Sequence, residues 1–357
     1  MNTKTNKSKA TGSALFLSAC CLSALLVWST GLIVANDDEQ DLAPTVHQGI
    51  EAVKKTVGPE KCGECHEDEL ASWKKSAHQS SYTTMHKSSL GKSIAAKLGI
   101  RRIKKDDSCV RCHYSQTMVR EKPKAKLGVS CESCHGPAKD WMPIHDDFGG
   151  KGLTRKDESE AHKSARHSRL VKAGMNHPDQ LYYLASKCFS CHVMDEPKLM
   201  APDVGHPTSD EFELLSWSQG EVRHNFVTGN GKSNTEADMN HRRVLFGLGQ
   251  IIEVEYVLGA LTKADAGPFF ESSVKRLKTA RRNVSELSKL LASDAGLASA
   301  VTALHALELT PKNPKFAALK EVFASHGKSF SRMDGTSLTA LDSLLPKPSS
   351  YRGKSHQ

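Results

Sequence analysis

The chain has 357 residues, a formal net charge of +9, 25% charged and 6% aromatic residues, and ten cysteines. Cys20 and Cys21 stand in an apolar N-terminal stretch. The other eight fall in four copies of one short motif, which leaves no pair over and argues against a disulfide-stapled scaffold.

Residues 1–35 read as a targeting segment. Lys4, Lys7 and Lys9 form a basic start, residues 14–34 are apolar apart from Ser, Thr and Gly, and Ala35 offers a small residue before the acidic run at Asn36-Asp37-Asp38-Glu39. The apolar run is about 20 residues, long enough to span a bilayer, so an uncleaved N-terminal anchor is the alternative to a signal peptide. Leu17-Ser18-Ala19-Cys20 resembles a lipoprotein box, but too little apolar chain precedes it. Either reading exports the remainder, predicting a periplasmic protein, with inner-membrane anchoring as the variant. Residues 36–60, containing Pro44 and Pro59, read as a linker of little structure.

The motif is Cys-x-x-Cys-His. It occurs at Cys62, Cys65 and His66, at Cys109, Cys112 and His113, at Cys131, Cys134 and His135, and at Cys188, Cys191 and His192. Two thiols three positions apart can form thioethers with the two vinyl groups of one porphyrin, and the adjacent imidazole then meets the iron from one face. This is the attachment signature of c-type haem. Paired Cys-x-x-Cys units also build zinc ribbons, but zinc has no need of a histidine after every second cysteine. With 17 histidines in 357 residues, four such coincidences have a chance on the order of 10⁻⁵ or less. Four covalently bound haem c groups are therefore predicted.

Haem also corrects the charge. Residues after position 35 carry +6, and propionates and iron would bring the holoprotein to about +2 oxidised and about −2 reduced. The basic composition is thus no sign of nucleic-acid binding. Lysines between 122 and 126 are a candidate docking patch for an acidic redox partner, against the plainer reading of a solvated loop.

Residues 61–239 hold every motif and few long apolar periodic stretches, so this region is expected to fold around its cofactors as short helices and long loops. Residues 240–345 differ. Residues 243–262 form a mostly apolar helix; Gly267-Pro268 starts another, with Leu277, Ala280, Val284, Leu287 and Leu291 on one face. Apolar periodicity continues over 297–309, and Asn313-Pro314 opens a helix carrying Phe316, Leu319, Val322 and Phe323, with a stop near Gly327. The predicted fold is mainly α: a multihaem cytochrome region plus a C-terminal helical bundle or hairpin of unknown role. His305 and His326 read there as surface or boundary residues, and residues 346–357 as a disordered tail.

The second axial ligand decides whether each iron only passes electrons or also binds a substrate. Met85, Met118, Met142, Met175 and Met194 are possible sulfur ligands, with core packing the default for each. Trp73-Lys74-Lys75-Ser76-Ala77-His78, and the stretch from Val129 to Pro137 around the third motif, resemble the tetrahaem cytochrome c-554 family of periplasmic electron-transfer proteins. The resemblance covers about residues 60–225.

It implies that His78 caps the third haem and His145 the fourth. It also implies a distal ligand for the first haem shortly before the fourth motif, where the match is poor: His177 is the nearest candidate, with His162 and His167 upstream. Gly205-His206-Pro207 resembles a segment of related multihaem cytochromes, which makes His206 a further candidate; His224, His86 and His47 follow. In the family the second haem lacks a protein ligand on its distal side, which would leave the iron above His113 open unless His206 or His224 closes it.

The preferred reading is a periplasmic electron carrier between exported or membrane redox proteins, including a quinol-linked partner, and more a carrier than an enzyme. The alternative is a redox enzyme using an open haem on a small nitrogen or sulfur compound such as nitric oxide.

Overall fold

The computed structural model describes residues 49–227 and 231–356. The targeting segment, Cys20, Cys21 and His47 lie outside them. The described chain is mainly helical, as predicted.

Residues 49–60 are not the unstructured linker the sequence suggests. They form α1 (Ile50–Lys54) and the start of α2 (Pro59–Cys62), with Val53 only 1% exposed. The cause lies far along the chain. The buried Glu132 carboxylate accepts the backbone N–H groups of Val57 (3.0 Å), Gly58 (2.8 Å) and Ala138 (2.8 Å), tying this segment to the third motif. Pro59 suits the first turn of a helix, where its missing N–H costs nothing.

α3 (Glu67–Lys74) and α4 (Ala77–Thr84) follow. α4, α5 (Ser89–Lys97) and α6 (Asp107–His113) each start on a side-chain cap, from Ser76, Ser88 and Asp106. Between the second and third motifs stands an antiparallel hairpin of β1 (Ser115–Val119) and β2 (Lys122–Leu127). Its two-residue turn, Arg120-Glu121, takes φ of 49° and 59°, the mirror-image turn that matches strand twist. Arg-Glu lacks the Asn-Gly signal of such turns, so a loop is what the residues suggest there.

α7 (Cys131–His135), α8 (Met142–His145), α9 (Glu160–Lys172), α10 (Leu181–His192) and α11 (Leu214–Gln219) complete the motif region. Protein cores there are small. Ala95, Ile103, Cys109, Val110, Tyr114 and Ala125 form one, and Ala138, Trp141, Leu170 and Met175 another.

The large core lies in the C-terminal helices α12 (Met239–Thr262), α13 (Pro268–Leu290), α14 (Ala295–His305) and α15 (Lys315–Phe330), close to the predicted spans. α12 is long and apolar enough to cross a membrane, but it is the central core helix, buried against α13 and α15. α15 continues past Gly327 to Phe330; the glycine serves close packing instead, since a Cβ there would stand 2.8 Å from the Tyr182 ring.

Two expectations need correcting. The division at residue 240 does not separate two cores: Leu181, Tyr182, Tyr183, Ala185 and Phe189 of α10 lie in the same apolar cluster as α12–α15. Arg276 of α13, braced by Glu253, donates to the carbonyls of His192 (2.8 Å) and Thr208 (3.0 Å). Nor is the tail loose over 346–356. Arg352 N–H donates to Ser216 O (3.1 Å), its carbonyl accepts Glu221 N–H (2.9 Å), and Asn234 reaches His356 O (2.7 Å).

Candidate functional site

Each motif forms a helical turn. The third is α7 itself, the second and fourth end α6 and α10, and the first closes α2 with His66 preceding α3. Positions i, i+3 and i+4 share one helix face, so both thiols and the imidazole point the same way. All eight motif cysteines are free thiols.

Four histidine pairs follow from the tertiary fold. The ring of His66 lies 6.3 Å from His145, His113 lies 6.2 Å from His206, His135 lies 6.3 Å from His224, and His192 lies 6.4 Å from His78, centroid to centroid. Two imidazoles on opposite sides of one metal, each bonded at about 2.0 Å with about 1.1 Å from nitrogen to centroid, would stand about 6.2 Å apart. Every motif histidine thus faces a second imidazole at the spacing a shared metal requires.

The tautomers agree with this. A carbonyl oxygen only accepts, so a ring nitrogen beside one carries the proton. His145 Nδ1 donates to Met142 O, His206 Nδ1 to Pro207 O (2.8 Å), His224 Nδ1 to Val222 O (2.7 Å), and His135 Nδ1 to Asn176 O (3.3 Å). In each ring Nε2 keeps its lone pair, the arrangement seen around metal-bound histidines. Burial lowers the pKa of His113, His135 and His192 to about 4, and lowers those of His78 and His206, so these rings are neutral and able to ligate. His66 differs: the Glu69 carboxylate, 3.8 Å from its Nδ1, raises its pKa by stabilising the protonated ring.

Local structure explains the placements. His78 sits in the first turn of α4, and its carbonyl accepts Val129 N–H (3.0 Å). Gly128 is needed there, because a Cβ would lie 2.1 Å from that same oxygen. His145 ends α8. His206 and His224 stand in loops; Asn234 holds the second by donating to Arg223 O and accepting Asn225 N–H.

These positions depart from the sequence expectations in several respects. His78 faces the fourth motif rather than the third, and His145 the first rather than the fourth. His224, ranked behind His177, takes the place opposite His135; no local pattern marks it. His177 meets no motif histidine. Its ring lies 4.1 Å from His167, tilted by 41°, and its Nδ1 accepts Asp179 N–H (3.2 Å) while His167 Nδ1 lies 3.1 Å from the Asp179 carboxylate. The ligating atoms of His167, His177 and Asp179 lie within 4.8 Å of one another, with Asp179 exposed. His162 donates to Glu158, whose carboxyl Arg166 holds down at about 2. Met85 accepts from the Tyr114 hydroxyl (3.4 Å), and Met175 is core.

The motifs also stand in a spatial order unlike their chain order. The Cys62 and Cys131 thiols are within hydrogen-bonding reach, α7 meets α10, and Cys112 and Cys191 are again in reach. The row is therefore first, third, fourth, second.

Comparison with known proteins adds a family. Residues 61–136 match the family model described as cytochrome c554 and c-prime. Cytochrome c-554 of Nitrosomonas europaea (strain ATCC 19718) is 29% identical over 164 residues, covering 42% of this chain and 62% of that protein. The chain thus spans less than two thirds of that relative's length. No solved structure matches. The donor set of paired free thiols and facing imidazoles fits covalent haem, and through this motif region the chain is similar to the cytochrome c-554 family.

Proposed function

We propose that the protein is an exported tetrahaem electron carrier in which all four irons are held between two histidines. The pairs are His66 with His145, His113 with His206, His135 with His224, and His192 with His78, and the motif cysteines form the thioethers. The observation that carries this reading is the fourfold recurrence of ring pairs at 6.2–6.4 Å.

When bound, haem supplies a one-electron Fe(III)/Fe(II) couple. The chain's own residues would hold each group between two imidazoles, aim His135, His145, His206 and His224 through backbone carbonyls, and order the motifs in a row. With His206 facing His113, a group held there would meet an imidazole on either side, which favours conduction over chemistry at an open iron. Periplasmic location is supported by the exported character of the N-terminal segment and by the thiol chemistry of haem attachment. Exported or membrane-bound redox proteins are the fitting partners.

Low-temperature EPR of the oxidised holoprotein, with a pyridine haemochrome count, tests this. Four haems per chain, all low-spin, are expected. A high-spin haem that binds CO or NO would favour the enzymatic alternative, and far fewer than four haems would end the tetrahaem reading.

A further inference from the structure

Charge is distributed very unevenly over the molecule. Residues 87–127 hold twelve lysines and arginines against three acids, so this stretch alone matches the +9 of the whole chain. It folds as one module. α5, the turn at Ile103–Lys105, α6 and β2 contribute Ala95, Ile103, Cys109, Val110 and Ala125 to one small core, whose centre is the second motif.

The hairpin shows how the cations are displayed. In β2, Lys122, Lys124 and Lys126 are exposed while Ala125 between them is buried, as strand alternation dictates. What reads as a solvated loop in sequence is thus a row of three ammonium groups on the outer face of a strand. On its inner face Ala125 joins the apolar cluster that holds Cys109 and Val110 of the second-motif helix. Arg101, Arg102 and Lys97 extend the basic surface, also exposed. Among the described residues none of these six takes part in an ion pair, whereas Arg111, facing inward, is matched by Asp195.

The second motif is also one end of the spatial row, where a partner must approach for electrons to enter or leave. The other end, around the first motif, mixes Glu64, Glu67, Asp68 and Glu69 with Lys61, Lys74 and Lys75, and its Glu64 is paired with Lys61.

We propose that this basic face is the docking surface for a redox protein presenting an acidic patch, so that the second-motif end of the row exchanges electrons with it. The proposal rests on the electron-carrier reading above and adds the place and the partner's chemistry. Unpaired exposed charge of one sign steers an oppositely charged protein and sets its orientation. A lipid surface fits less well. The face exposes one large apolar side chain, Leu90, and its aromatic residues are covered, with the Lys104 ammonium 3.4 Å from the Tyr82 ring centre.

The test is stopped-flow reduction of oxidised holoprotein by flavodoxin hydroquinone, an acidic protein donor. Each event oxidises one hydroquinone to the semiquinone and reduces one ferric centre. Wild type is compared with Lys122→Glu/Lys124→Glu/Lys126→Glu and with a control of equal charge change on α13, Lys275→Glu/Lys278→Glu/Arg282→Glu. At low ionic strength the hairpin variant should be slower by about tenfold or more. That difference should fade as salt screens it, while the control stays within about twofold of wild type.

Equal losses in both variants, or none in the hairpin variant, would overturn the proposal. So would hairpin-dependent binding to phosphatidylglycerol vesicles with unchanged flavodoxin rates. Dithionite reduction and haem content separate the two readings. A wild-type chain lacking haem or refusing dithionite would sink the carrier reading and this proposal with it, whereas normal values beside unchanged flavodoxin rates would sink docking alone.

Discussion

A histidine can present either ring nitrogen to a metal, and in this protein the choice is made by backbone carbonyls. Met142, Pro207 and Val222 each take the Nδ1 proton of the histidine lying across from a motif imidazole, and Asn176 does so for His135. The ring is thereby aimed before any metal arrives, which lowers the entropy lost on ligation. If the irons are held as proposed, His206→Ala should leave the haem count unchanged, turn one centre high-spin and introduce CO binding relative to wild type; EPR and the CO difference spectrum check this. His177→Ala should leave the spin state untouched, since that ring faces His167 and Asp179. Glu132 deserves a similar test. Its carboxylate accepts three backbone N–H groups in a 2% exposed setting, and Glu132→Ala should cost about 3 kcal/mol or more, read as a fall in thermal midpoint of the holoprotein.

At the scale of elements, the contact between the hairpin and α4 decides where His78 goes. Gly128 follows β2 and lies against the carbonyls of His78 and Gln79, where an added Cβ would approach within 2.1 and 2.5 Å. Backbone cannot yield as a flexible side chain can, so Gly128→Ala should push α4 away from the hairpin. The expected result is a lower thermal midpoint together with partial high-spin character, because the ring opposite His192 is displaced. A drop in stability with a wholly low-spin spectrum would show that the helix moves without carrying its histidine. The bundle helices need no such contact to be recognised, since their caps and apolar steps are local features.

For the whole molecule, the fourth-motif helix and the C-terminal bundle are one structure. Deleting residues 240–357 should therefore disturb the fourth haem, lowering the haem count or producing high-spin signal, whereas a module merely appended for docking would leave the spectrum intact. The same junction buries an ionisable group. Glu255 of α12 is 5% exposed and hydrogen-bonds the Tyr182 hydroxyl (3.0 Å), with Tyr256, Lys320, Glu321 and Lys328 around it. Burial raises its pKa from 4.5 to about 7. A carboxyl raised on folding stabilises the protein fully below the unfolded value, and this contribution is lost as pH rises through the folded value. Between pH 4.5 and 7 the loss should amount to about 3 kcal/mol. Thermal midpoints of wild type and Glu255→Gln, compared at pH 4.5 and pH 8, should show the variant gaining relative to wild type as pH rises.

The sequence alone determined the four attachment motifs and the helices of the C-terminal half. Both are local: thiols and imidazole at fixed steps serve one porphyrin, and apolar residues at steps of three and four make one helix face. Only the tertiary structure decided which histidine stands opposite which motif, the order of the motifs in space, and the union of α10 with the bundle. Each of those depends on residues far apart in the chain brought together by buried contacts, such as the Glu132 carboxylate gathering Val57 and Gly58 or Arg276 reaching His192 O. His224 illustrates the difference: nothing beside it in the chain marks a ligand, and the Asn234 hydrogen bonds that hold its loop exist only once the fold has formed.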